Sequence, residues 1–266
     1  MKKIIIGMLA CLLLAVLASS CTKNSNSAIL TAKAVVEGYL IAGKPVQLTI
    51  KMQSTNGTID TLMPISGLTV NITHNGVSYQ LNYTGSGVYA NNTLIPEAGQ
   101  VYNLKFIYNN ETVSAETKIP SKPLNFIGSD TTITPPSPPT SGTRPTPPEP
   151  IVYTWSNPNN EYHLITVKCI ETTPVEISTG AILVGGRTFR TEPTQASTQN
   201  ILPMQFKYYG RHEVVLYRIQ AEYAAIYDDN ISNSNNLTGP PGNIVHGYGI
   251  FTGVNTADKR YIKVVQ

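Results

Sequence analysis

Between residues 34 and 119, apolar side chains recur at every second position, which predicts strands with one face buried and the other in water. Val46, Leu48, Ile50 and Met52 alternate with Gln47, Thr49, Lys51 and Gln53, after the start of ordered structure over Ala34–Leu40 and a Gly43-Lys44-Pro45 turn. Leu68, Val70 and Ile72 lead into His74-Asn75-Gly76, followed by Val77, Tyr79 and Leu81. Asn-Gly between two alternating runs predicts a hairpin, because a type I′ turn needs positive φ at both central residues. Gly85-Ser86-Gly87 and Pro96-Glu97-Ala98-Gly99 punctuate the next runs, and Tyr102, Leu104 and Phe106 alternate toward Asn109-Asn110 and a strand around Val113. About seven short strands with a turn about every ten residues predict a β-sandwich over 34–120.

Leu124, Phe126 and Ile127 predict a further strand, and a proline-rich segment, 135–150, follows it. Such a segment cannot donate ladder hydrogen bonds and reads as extended chain. It is either a plain interdomain linker or an insertion after the first strand of a second domain, 121–266, and the strand ahead of it favours the insertion. Trp155 precedes an Asn157-Pro158 turn and an alternating strand over Tyr162–Ile170. That order resembles the second and third strands of fibronectin type III domains, in which the tryptophan packs in the core. Cys169 shares a strand face with Ile165 and Val167, where a buried, inert thiol is ordinary. Phe206–Tyr209 and the alternation of Val214, Leu216 and Arg218 with Val215, Tyr217 and Ile219 predict one more strand pair, and Arg260–Gln266 a closing strand. Gln220–Tyr227 is the one plausible short helix, and Asp228–Gly239 reads as a surface loop rich in Asn and Ser. No long window repeats at 3.6, so the expected class is all-β, with two sandwiches.

The amino terminus follows another pattern. Lys2 and Lys3 precede an apolar run over Ile4–Ala18, which closes on Leu17-Ala18-Ser19-Ser20-Cys21. As a helix this run would rise about 22 Å, short of a hydrocarbon core of about 30 Å. It reads as an export signal over 1–20. Small residues ahead of a cysteine resemble a bacterial lipobox with Cys21 as the acylated first residue; the alternative is a general secretory signal that happens to contain cysteine. Residues 21–33 then form a polar, flexible tether.

Composition removes several classes of function. Losing Lys2 and Lys3 with the signal lowers the net charge from +3 to +1, too little for a nucleic-acid surface built on clustered Lys and Arg. Of Cys11, Cys21 and Cys169, only Cys169 would remain as a free thiol after processing, so no intramolecular disulfide is expected. The histidines, His74, His163, His212 and His246, fall in separate strand or turn contexts without metal-ligand spacing, and no nucleophile elbow or phosphate-cradling loop occurs. Neither a metal, a cofactor nor a catalytic residue is therefore expected, although carboxylates brought together from distant strands stay open. Asp228, Asn230 and Ser232 imitate a calcium loop, but the glycine and glutamate that such a loop requires are missing. Asp60-Thr61-Leu62 and Asp130-Thr131-Thr132 resemble the acceptor of the general O-glycosylation of exported Bacteroidota proteins, making Thr61 and Thr131 candidate acceptors.

Val35-Val36-Glu37-Gly38-Tyr39, Gly87-Val88-Tyr89 and Gly99-Gln100-Val101-Tyr102-Asn103-Leu104, with Asn243-Ile244, Gly247 and Gly249-Ile250-Phe251 near the end, resemble domain of unknown function 4249, a family of exported Bacteroidota lipoproteins. The resemblance implies an immunoglobulin-like first sandwich and a fibronectin type III-like second one. It also implies a lipoprotein anchored in the outer membrane by acyl chains on Cys21, a non-enzymatic binding or accessory module working with a TonB-dependent receptor. An adhesin or matrix component, and a hydrolase with a dispersed site, are the alternatives. Which face of the membrane the protein occupies stays open.

Overall fold

The structure, a computed structural model, describes residues 32–53, 62–135, 149–178, 185–227 and 242–265. Period-two alternation becomes strands: β1 (Ala34–Ile41), β2 (Val46–Gln53), β3 (Leu62–Pro64), β4 (Val70–His74), β5 (Val77–Gly85), β6 (Val88–Asn91), β7 (Val101–Tyr108) and β8 (Glu111–Lys118). The β4–β5 hairpin turns on Asn75 (φ 48°) and Gly76 (φ 76°) with His74 opposite Val77, as a type I′ turn demands. β7 shows the alternation plainly, with Tyr102, Leu104 and Phe106 buried and Val101, Asn103 and Lys105 exposed. These residues meet Val36, Leu40, Leu48, Ile50, Val70 and Ile72 in a first hydrophobic core.

The chain continues through β9 (Leu124–Gly128), β10 (Thr132–Ile133), β11 (Ile151–Ser156), β12 (Tyr162–Cys169), β13 (Thr188–Arg190), β14 (Thr198–Ile201) and β15 (Gly210–Ile219). A helical turn, α1 (Ala221–Ala224), precedes β16 (Tyr248–Thr256) and β17 (Arg260–Val264). β9, β11 and β14 form a three-stranded antiparallel sheet, so β9 and β11 are neighbours across the proline-rich stretch. That sheet covers the inner face of β12, β15 and β17, and Phe126, Ile151, Tyr153, Trp155, Ile165, Val167, Val214 and Leu216 fill a second core. Trp155 is buried in it, and Cys169 is fully buried beside it. The fold is all-β and sandwich-like.

Two features differ from the sequence pattern. Phe206–Tyr209 does not form a strand; only Tyr208 makes an isolated bridge, to Glu176, and β15 alone carries the expected pairing. β15 is bordered by β12 on one side and by β16 and β17 on the other, so its residues on both faces are covered and its alternation is blurred. The second feature is the path of the large sheet. From the sequence, all of 121–266 is expected in the second sandwich. β16 instead runs parallel to β1 with Gly38 opposite Phe251, and Phe251 packs into the first core. One ladder therefore passes through both halves, in the order β17, β15, β16, β1, β2 and β6. Such a parallel pair joins segments about 200 residues apart, and a local pattern carries no trace of it.

Candidate functional site

Polar side chains converge where the two halves meet. In β15, Arg218 follows Val214 and Leu216 on a face directed at apolar neighbours, and it is 6% exposed. Its partner in register on β12 is His163, which is fully buried. Arg218 Nε–H donates to His163 Nε2 at 3.2 Å, while His163 Nδ1 lies 2.9 Å from the Glu161 carbonyl. Together these contacts define the tautomer: Nδ1 carries the proton and Nε2 presents its lone pair to the guanidinium. Burial, reinforced by the adjacent Arg218 charge, pushes His163 down to about 4, against the smaller opposing effect of its bond to the Glu161 carbonyl. The ring is neutral at ordinary pH, as an acceptor must be.

The rest of the guanidinium addresses two other segments. Nη1 donates to Ser121 Oγ and lies 3.0 Å from Glu161 Oε2. The Glu161 contact is an ion pair without hydrogen-bond alignment, and Oε2 is buried with no other partner. Ser121 belongs to the connector between β8 and β9, which is clamped elsewhere too. Asn255 Nδ2 donates to the Pro120 carbonyl at 2.9 Å, and Gln220 Nε2 donates to the Lys118 carbonyl. Glu222 of α1 accepts from Thr252 Oγ1 at 3.0 Å and from Thr117 Oγ1 at 3.4 Å, and Thr117 Oγ1 accepts from Gly253 N–H at 2.7 Å. A buried arginine pair is costly to desolvate and is tolerated when its donors are used. Here they tie β12, β15 and the connector into one seam.

The seam opens into a cleft of about 390 Å³ lined by Ser121, Asn159, Glu161, Gln195, Arg218 and Gln220, among others. Tyr162 forms part of the wall. Beside Lys118 and apolar residues such as Ile119 and Pro120, the lining brings together side-chain amides, the Ser121 hydroxyl and the Arg218–Glu161 pair, a set suited to holding a polar ligand by hydrogen bonds. On the far side of β12 and β15 lies a third apolar cluster, Leu164, Ile219 and Val254, against which Tyr162, Tyr217, Tyr223 and Tyr227 pack.

Of the residues singled out in the sequence, Cys21 and Thr61 lie outside the described residues, as do the segment 136–148 and the calcium-like loop over Asp228–Gly239. Thr131 is exposed. Asp130 Oδ1 accepts from the backbone N–H groups of Thr131 at 2.6 Å and Thr132 at 2.9 Å, and from Thr132 Oγ1 at 3.1 Å. These bonds, the one from the Thr132 backbone first, hold the Asp130 carboxyl below its usual range. The Thr132 hydroxyl is thus occupied, while that of Thr131 makes no hydrogen bond to a described residue.

The histidines do not assemble. His74 stacks on Tyr102 at 4.5 Å, His212 is buried against Phe206, and His246 Nδ1 meets the Thr112 carbonyl at 3.0 Å. Among the described residues no group of three or more His, Cys, Asp or Glu is arranged to hold a metal ion. The His163–Arg218 pair went unforeseen, although one signal was visible: a lone charge continuing the Val214, Leu216 alternation.

The chain belongs to the family described as domain of unknown function 4249, whose model matches residues 25–260. No curated protein matches the chain.

Proposed function

We propose that this member of the domain of unknown function 4249 family is a lipid-anchored, non-enzymatic binding protein of the outer membrane, an accessory partner of a TonB-dependent receptor. The observation that carries the reading is the order of the sequence: a short apolar run ends at Cys21, a polar stretch follows, and then comes an all-β body whose polar side chains gather at an open cleft. Acylation on Cys21 supplies the anchor. One acyl chain binds a bilayer marginally, whereas two or more hold firmly. The clamped connector supports a carrier role, because it keeps both halves as one unit at the end of the tether.

Metabolic labelling with an alkyne-bearing palmitate tests the anchor. The wild type is expected to carry label and to stay with outer membranes after a high-salt wash, and Cys21→Ala to lose both properties. Equal membrane retention of the variant would overturn it. Co-purification from solubilised outer membranes then tests the partner: capture of a receptor supports the accessory role, and its absence with the anchor intact favours an adhesin or matrix component. Turnover in a screen of glycan and peptide substrates would favour a hydrolase.

A further inference from the structure

We propose that the seam cleft is a binding site for a neutral, hydroxyl-rich ligand, a sugar residue, held between the guanidinium of Arg218 and the carboxylate of Glu161. The proposal deepens the binding-protein reading and rests on it only in requiring that the body, not a separate subunit, carries the ligand.

The argument is a count of donors and acceptors. Arg218 has five N–H groups; Nε is committed to His163, and Nη1 faces Ser121 and Glu161. Nη2 makes no hydrogen bond to a described residue and is not sealed from solvent, while the Arg218 side chain lines the cleft. A guanidinium this deeply buried is held rigid, so its free N–H groups are presented in a fixed direction, and hydrogen bonds to a charged donor are the stronger ones. Opposite stands a carboxylate, Glu161, with about a third of its side chain exposed. Gln195 Nε2 donates to the Asn160 carbonyl at 2.8 Å and Gln220 Nε2 to the Lys118 carbonyl. Each amide therefore has its oxygen left to accept.

The wall thus offers donors and acceptors together, and its buried charge is already balanced by the ion pair, the exposed Lys118 being the other charged residue of the lining. A ligand carboxylate is an acceptor alone and would confront Glu161 and the two amide oxygens. A cationic ligand would confront Arg218. A hydroxyl both donates and accepts, and two neighbouring hydroxyls can span a guanidinium and a carboxylate together. At about 390 Å³ the cleft has room for one ring and part of a second.

The test applies the full-length protein, purified in detergent, to an array of defined oligosaccharides. The expected result is capture by neutral glycans. Two variants locate it. Asn159→Trp fills the cleft from an exposed loop position without touching the buried network, and should abolish capture while thermal unfolding is unchanged. Arg218→Lys keeps the charge but removes Nη2 together with the Nε donor to His163, and should weaken the same glycans at least tenfold. Absence of capture, capture retained in Asn159→Trp, or capture confined to uronic or sialic acid glycans would each overturn the assignment. Palmitate labelling and receptor co-purification do not depend on the sugar. Their survival alongside a negative array would sink this inference and leave the anchored accessory role standing.

Discussion

Gly38 lies opposite Phe251 across the parallel ladder of β1 and β16, and a methyl group on Gly38 would sit 3.0 Å from the Phe251 ring and 3.3 Å from Leu48 Cβ. The glycine is there for close approach: it lets an aromatic ring from the far end of the chain enter the first core. Gly38→Val should overpack the site and destabilise by about 1–3 kcal/mol. Phe251→Ala should empty it and cost about 3–5 kcal/mol. Urea denaturation followed by far-ultraviolet circular dichroism reads both. A Gly38→Val variant with an unchanged midpoint would mean that the neighbours yield freely and that the close fit is not a determinant of stability.

His163 supplies a pH dependence with a definite sign. Its folded pKa, about 4, lies below the ordinary 6.5 because the neutral ring is buried against Arg218. The unfolded chain therefore takes up the proton first. The stability owed to this ring is complete above pH 6.5, declines as the pH falls from 6.5 toward 4, and changes no further below that. His212 is lowered in the same direction by burial and adds to the decline. Melting temperatures measured from pH 7.5 to 4 should fall through this window, and His163→Gln should fall less steeply. Parallel curves for the two proteins would show that His163 does not titrate with unfolding.

Arg218 should be more sensitive to truncation than to replacement by an apolar chain of similar volume. Arg218→Ala leaves Glu161 Oε2 without its cation and removes the donor to Ser121, and removal of one partner of a buried pair costs about 3–5 kcal/mol. The partial exposure of Glu161 places the expectation at the lower end. Arg218→Met fills the same space and should recover at least half of the loss. Chemical denaturation of both variants checks the ordering; equal losses would show that charge pairing, not packing, dominates the seam.

Thr131 is the described acceptor candidate, exposed beside a carboxylate that engages the neighbouring hydroxyl. Protein isolated from its native host should show a glycan mass on the peptide containing Thr131. Thr131→Ala should remove it, and Asp130→Asn should reduce it, while Thr132→Ala should leave it in place. An unmodified peptide from the wild type would end the idea.

Period-two alternation, Asn75-Gly76 and the scarcity of 3.6-residue repeats determined the strands, the hairpin and the all-β class, because these are properties of neighbouring residues and of backbone φ. The burial of Cys169 was legible for the same reason, since it shares a face with Ile165 and Val167 on its own strand, whereas that of Trp155 was legible through the resemblance to fibronectin type III strands. The position of Cys21 after an apolar run defines the expected anchor without any fold. Tertiary structure decided what depends on long-range pairing: the parallel β1–β16 ladder, the passage of one sheet through both halves, and the meeting of His163, Arg218, Glu161 and Ser121. Arg218 continues the Val214, Leu216 alternation as a charge, but its partners come from β12, from the loop ahead of it and from a connector about 100 residues away. A buried charge must be paired wherever the chain allows, and only the register of distant strands determines where that is.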